Sequence, residues 1–212
     1  MYTLFIQKKQ GDNSPFPLTK QLHDFLVYTQ ANGIFVAPGH LSKDAGVVQI
    51  LINDLLDKTN IQKFGIGNRY GGNYINIYEQ HLDNIHKLWH VSRNNKKDHR
   101  KMVFVFNYKD PVPDLHVGNY QDVINQIELL AVAIGSSNFS YQTYGPINGL
   151  ARSADKGEAD ILMFFDEGFA KYAAEYNRPE LEGRMVLSKS INKISPSFFK
   201  QMFSETLQYI LA

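Results

Sequence analysis

The chain has 212 residues, 43% of them hydrophobic and 20% charged, which is enough for a sizeable core and ordinary for a globular protein. A formal net charge of +1 argues neither for nor against a polyanionic partner, and zero cysteines exclude disulfides, thiolate metal sites and a cysteine nucleophile. The apolar run after Met1 is too short for a signal peptide and no stretch of 18 apolar residues exists, so the expectation is a cytoplasmic protein with no membrane-spanning helix.

Thr3–Gln7 reads as an opening strand, and the turn-rich Gly11–Pro17 leads to a helix near Thr19–Gln30 with Leu22, Phe25 and Leu26 on one face. Gly33–Pro38 reads as a buried strand. A helix over Lys43–Asp57 follows, with Val47, Ile50, Leu51, Ile52, Leu55 and Leu56 as a broad apolar face. Ile61–Ile66 is a short strand and Tyr74–Trp89 a further helix. Met102–Phe106 and Glu128–Ile134 read as strands, joined by a polar, proline-containing insertion over about 107–126 that suits a substrate-contacting arm or a dimer contact. Ala159–Phe165 is a strand and Glu167–Tyr176 a helix. Ser195 and Pro196 supply an N-cap and first position for a terminal helix. There is no repeat, low-complexity tract or interdomain linker. The expectation is one α/β domain over 1–212, a mixed β-sheet sandwiched by helices.

Charge is unevenly spread. Residues 91–110 carry an excess of about four positive charges, from Arg93, Lys96, Lys97, Arg100, Lys101 and Lys109 against Asp98 and Asp110. Inside this segment, Asp98-His99-Arg100-Lys101-Met102-Val103-Phe104-Val105-Phe106 sets an imidazole and an ammonium two positions apart at the start of an apolar run. Strand alternation puts both on one face. A second apolar run, Leu129–Ile134, ends in the donor-rich turn Gly135-Ser136-Ser137-Asn138-Phe139-Ser140. Phosphodiesters resist attack because they are anionic. Cleaving one without a metal takes a nucleophile, an acid for the leaving oxygen, and donors for the nonbridging oxygens. His99, Lys101, Ser136 and Asn138 match those needs, and Gly135 allows close backbone approach.

In this order the residues resemble the H-x-K … G-S-x-N motif of the phospholipase D superfamily, and among its members the single-motif nuclease branch that includes phospholipase D-like restriction endonucleases. The resemblance implies a phospholipase D-like fold and a metal-independent DNA endonuclease without a cofactor. His99 would be the nucleophile of a covalent phosphohistidine intermediate, and a homodimer would supply the second histidine as acid. It further implies a carboxylate on the strand after the G-S-x-N turn that orients His99. Glu158 occupies that context and Asp160, on the same strand face, competes with it. The chain departs from the full H-x-K-x4-D pattern at Phe106. Arg93, Lys96, Lys97 and Arg100 would grip a nucleic-acid backbone, DNA in preference to RNA. The alternatives are a non-catalytic nucleic-acid-binding or regulatory module on the same fold, and a phospholipase or phosphatidyl transferase.

Two other signals read as structural. Gly65-Ile66-Gly67-Asn68-Arg69-Tyr70-Gly71-Gly72 has the wrong glycine spacing for a dinucleotide loop and reads as a turn. His86 and His90, four apart, with His81 and Asp83 nearby, read as a polar helix face and not a metal site.

Overall fold

A computed structural model describes residues 1–8, 17–38, 45–67, 88–91, 100–109, 112–136, 158–176, 185–190 and 194–211. Eight strands form one mixed sheet: β1 (Tyr2–Lys8), β2 (Gly33–Pro38), β3 (Lys63–Ile66), β4 (Leu88–Val91), β5 (Lys101–Tyr108), β6 (Ile127–Gly135), β7 (Glu158–Phe164) and β8 (Met185–Lys189). Their order across the sheet is β4-β3-β2-β5-β6-β7-β1-β8. β2, β3 and β4 run parallel, and every other pairing is antiparallel.

Strand alternation divides the core in two. On one face Val103 and Val105 of β5, Ala131 and Ala133 of β6, and Leu162 and Phe164 of β7 pack under three helices. These are α1 (Pro17–Thr29), α2 (Ala45–Leu56) and α4 (Glu167–Tyr176). On the other face Phe104, Phe106 and Val132 meet α3 (Tyr120–Gln126) and α5 (Pro196–Leu211). The expected mixed sheet sandwiched by helices is therefore what forms. Within α2 the apolar face is narrower than the sequence suggests. Leu51, Ile52, Leu55 and Leu56 are buried, but Ile50 is 49% exposed.

Phe106 explains one departure from the motif. It is fully buried, it lies against Phe203 of α5, and its ring fills the space a side chain on Gly33 would need. An aspartate there would place an unpaired charge in the core.

The sequence expectation fails in three places. Leu88–Val91 is a strand, so the helix expected over Tyr74–Trp89 does not run to its end. His90 lies in that strand and is not displayed by helical i,i+4 spacing; residues 68–87 lie outside the described set. β8 was not expected at all. Third, the connection over 107–126 is no arm over the site. β5 extends to Tyr108 and α3 begins at Tyr120. Val112, Leu115, Val123 and Ile124 are buried in the α5-side core. This connection sits at the end of the sheet opposite Lys101, roughly 23 Å away along β5 at 3.3 Å per residue. Lys63 Nζ donates to Asp114 Oδ1 at 2.8 Å and holds the Asp114 carboxyl below its ordinary value. That stabilisation is present at neutral pH and is lost as pH falls through the lowered pKa. It is small, because the carboxylate is exposed and screened.

Candidate active site

The strand directions bring the motif residues to one end of the sheet. Lys101 opens β5 and pairs with Pro38 at the C-terminal end of β2. Met102 pairs with Ile134, and one step further along β6 Gly135 pairs with Asp160 of β7. Glu158 begins β7 and pairs with Lys8, the last residue of β1. Lys101, Gly135 and the first residues of β7 thus occupy three adjacent strands, spanning about 10 Å at two strand spacings.

They also share a face. Lys101 has the parity of Val103 and Val105, Gly135 that of Ala131 and Ala133, and Glu158 and Asp160 that of Leu162 and Phe164. All are on the side of α1 and α2. His99 and Asn138 lie outside the described residues, as do Arg93, Lys96 and Lys97.

Ser136 and Glu158 form the best-defined contact. Ser136 Oγ donates to Glu158 Oε2 at 2.6 Å and accepts from the Ala159 backbone N–H at 3.0 Å. The Ser136 N–H donates to the Ala159 carbonyl, also at 3.0 Å. The hydroxyl proton expected to reach a phosphate is therefore committed to Glu158. In this geometry the hydroxyl holds one oxygen of that carboxylate, Oε2. The two candidate carboxylates separate on burial: Glu158 is partly exposed, whereas Asp160 is only 5% exposed.

Gly135 is required by that arrangement. A Cβ here would run into the Asp160 carboxylate and lie 2.6 Å from the Ala159 carbonyl oxygen, a backbone atom that cannot swing aside. Gly135→Ala should force β6 away from β7 and cost about 1–3 kcal/mol, the range for overpacking a filled site. Chemical denaturation checks it, and an unchanged midpoint would show that the strands absorb the methyl group.

Arg100 turns to the opposite face. Its Nη1 donates to Thr206 Oγ1 of α5 at 3.3 Å, and its guanidinium lies over the Tyr209 ring, 5.0 Å from the centroid. Nothing in the local sequence signals these partners, Thr206 being 106 residues away. The glycine run after β3 begins as a packing position: a Cβ on Gly67 would meet Ile210 of α5. Among the described residues no group of three or more metal-ligating side chains gathers. Nor is any helix among them long and apolar enough to cross a membrane.

No protein-family model and no curated protein sequence matches the chain. Solved structures do. A yeast tyrosyl-DNA phosphodiesterase aligns at TM-score 0.45 and 13% identity, covering 76% of this chain and 46% of that one. Nuc from Salmonella typhimurium, a phospholipase D family member, aligns at TM-score 0.42 and 13% identity, over 90% of this chain and 100% of its own. A phosphatidylserine synthase from Haemophilus influenzae gives 0.39 and 10%, over 99% and 46%. The chain thus spans less than half of the yeast and Haemophilus chains. All three alignments fall below a TM-score of 0.5, so what this chain does must be read from its own residues.

Proposed function

We propose that the chain is a metal-independent phosphodiesterase acting on nucleic acid, a DNA endonuclease that works as a homodimer through a phosphohistidine intermediate. The observation that supports this reading is the convergence at one sheet end. Lys101, Gly135, Ser136 and Glu158 come from three separate stretches of sequence and three adjacent strands, yet lie at one end of the sheet, with Lys101, Gly135 and Glu158 on one face and Ser136 bonded to Glu158.

In this reading a neutral His99 nitrogen attacks phosphorus. The N–P bond forms as the bond to the leaving oxygen breaks, and the His99 of the second copy protonates that oxygen. The same second histidine then takes a proton from water, whose oxygen displaces His99 and releases the phosphomonoester. Glu158, held by Ser136, orients the imidazole. Lys101 and the Asn138 amide stabilise charge on the nonbridging oxygens. Arg93, Lys96 and Lys97 lie on the segment joining β4 to β5, which arrives at Lys101. Their charge favours a polyanionic substrate over a lipid. A single chain carries one H-x-K and one G-S-x-N, so a two-fold axis through the site supplies the acid.

Purified protein should nick plasmid DNA in excess EDTA and sediment as a dimer. Cleavage that vanishes in EDTA and returns with a divalent cation would overturn metal independence. A fully active monomer would overturn the shared site. DNA binding without cleavage would make the chain a binding module, and hydrolysis of phospholipid vesicles but not DNA would make it a lipase.

A further inference from the structure

We propose that the sheet end opposite Lys101 carries a second binding site, a notch beside β6 that takes an extended peptide segment as a short added strand. The site is independent of the phosphodiesterase reading.

The notch follows from where two strands stop. β6 starts at Ile127, but its ladder with β7 begins only at the Ala131–Phe164 pair. β7 ends there, and Phe165 and Asp166 lead into α4 on the α1 side of the sheet. Ile127, Glu128 and Leu129 are paired to β5 on their other side. Among the described residues no strand lies against the opposite margin of Ile127–Leu130. Helices stand on both sides of it. Phe25 of α1 lines one wall, Pro196 and Lys200 of α5 the other, and Phe165 and Asp166 the inner end of a cleft of about 650 Å³. That volume is in the range of ligand sites. An open strand margin offers backbone N–H and C=O groups at strand spacing, which an extended chain matches and a compact ligand does not. Four residues make it about 13 Å long.

The charges say what the added strand carries. Glu128 lies between Ile127 and Leu129, both buried in the α5-side core, so alternation points it to the α1 side. Asp166 precedes α4 on that same side, where its Oδ1 accepts from the Phe169 N–H at 2.7 Å and caps the helix. Among the described residues, the Glu128 carboxylate, Asp166 Oδ2 and the Lys200 ammonium have no hydrogen bond or ion pair. The cleft thus has two acidic groups on its α1 side and one basic group on its α5 side. Successive side chains of an added strand point to opposite sides. The matching segment therefore carries a lysine or arginine next to an aspartate or glutamate, with apolar neighbours for the half-buried Leu130 and Phe165.

The test uses the full chain and fluorescein-labelled hexapeptide amides, read by fluorescence polarisation. Thr-Val-Lys-Glu-Val-Thr places its two charges on opposite sides of an extended chain. Thr-Lys-Val-Glu-Val-Thr has the same composition with both charges on one side. The first should bind about fivefold more tightly, the scale of one exposed ion pair. N-methylation of two successive central amides, one of which must face β6, should weaken it about fivefold or more. In heteronuclear amide spectra the shifts should centre on Ile127–Leu130 and Phe165. Glu128 is exposed and Lys200 half-buried, so both charges can be reversed without entering the core. Glu128→Lys should weaken the first peptide about fivefold or more, and adding Lys200→Glu should recover part of the loss, because the peptide can turn over. The N-methyl comparison needs no variant. Equal affinity for the two isomers, or no loss on N-methylation, would overturn strand addition, as would a Kd for the first peptide weaker than about 1 mM. Shifts centred on Lys101 and Gly135 would put the peptide at the other end of the sheet and overturn the site. Sedimentation that passes from dimer to monomer in Glu128→Lys would give the margin to a second copy of this chain and overturn the peptide as its occupant.

Discussion

His99→Ala should reduce DNA cleavage in EDTA by about 10⁴-fold or more, below detection in a nicking assay, as loss of a covalent nucleophile does elsewhere. The magnitude follows from the proposed chemistry, in which without the imidazole nitrogen no N–P bond would form and Lys101 would only stabilise charge on a reaction that lacks its attacking group. Lys101→Ala should therefore cost less, on the order of 10²-fold, the scale for one lost transition-state donor. In the proposed homodimer the alanine would remove nucleophile and acid together, one from each copy. Mixing His99→Ala chains with unaltered chains should give heterodimers with no complete site, since each chemical step then lacks one of its two histidines. Melting curves recorded in parallel separate loss of chemistry from loss of fold. Residual cleavage within 10-fold of the unaltered protein would mean that His99 is not the nucleophile.

Phe203→Ala should be the most damaging single change to stability. Its ring is fully buried in α5, stacks on Phe104 with centroids 4.4 Å apart and planes at 9°, and meets Phe35 at 5.5 Å and Phe106 at 5.8 Å. It therefore joins α5 to β2 and β5 at once. Truncation removes the buried area and leaves a cavity whose rigid aromatic walls relax little, for a cost of about 3–5 kcal/mol. For a chain of this size that lowers the melting temperature by roughly 6–20 °C. Calorimetry decides, and a loss under about 1 kcal/mol would show that the aromatic cluster closes over the gap. Phe203→Leu, which keeps much of the volume, should recover most of the loss.

The sequence revealed the parts of the fold where pattern and burial coincide. β2, β5, β6 and β7 are continuous apolar runs because both faces of the central sheet are covered. α1 and α4 carry clear stripes. The edges were not legible. β4 is four residues long at one margin, and β8, burying only Met185 of its five residues, lies at the other. Neither has a run long enough to compete with other readings. α3 reads as polar because it buries only Val123 and Ile124; its neighbours fix it from a distance, Ser204 Oγ bonding Gln121 Oε1 at 2.7 Å and the Tyr108 hydroxyl bonding Gln126 at 2.8 Å. Within the site, Lys101, Gly135, Ser136 and Glu158 were legible as types in an order. That Ser136 serves Glu158, and that Arg100 leans on Thr206 and Tyr209, depends on contacts spanning 22 and 106 residues. No local pattern encodes such contacts.

The two ends of the sheet differ in what evolution can alter. At the end away from Lys101 the joins are short or packed into the core: residues 30–32, residues 165–166, and the connection that buries Val112 and Leu115. Lengthening any of them disturbs packing. The joins at 9–16, 39–44, 92–99 and 137–157 all begin and end on the Lys101 side, as follows from the strand directions. Insertions or exchanges there leave every strand pair and both core layers as they are. A lineage built on this frame can exchange chain at that end at little cost in stability.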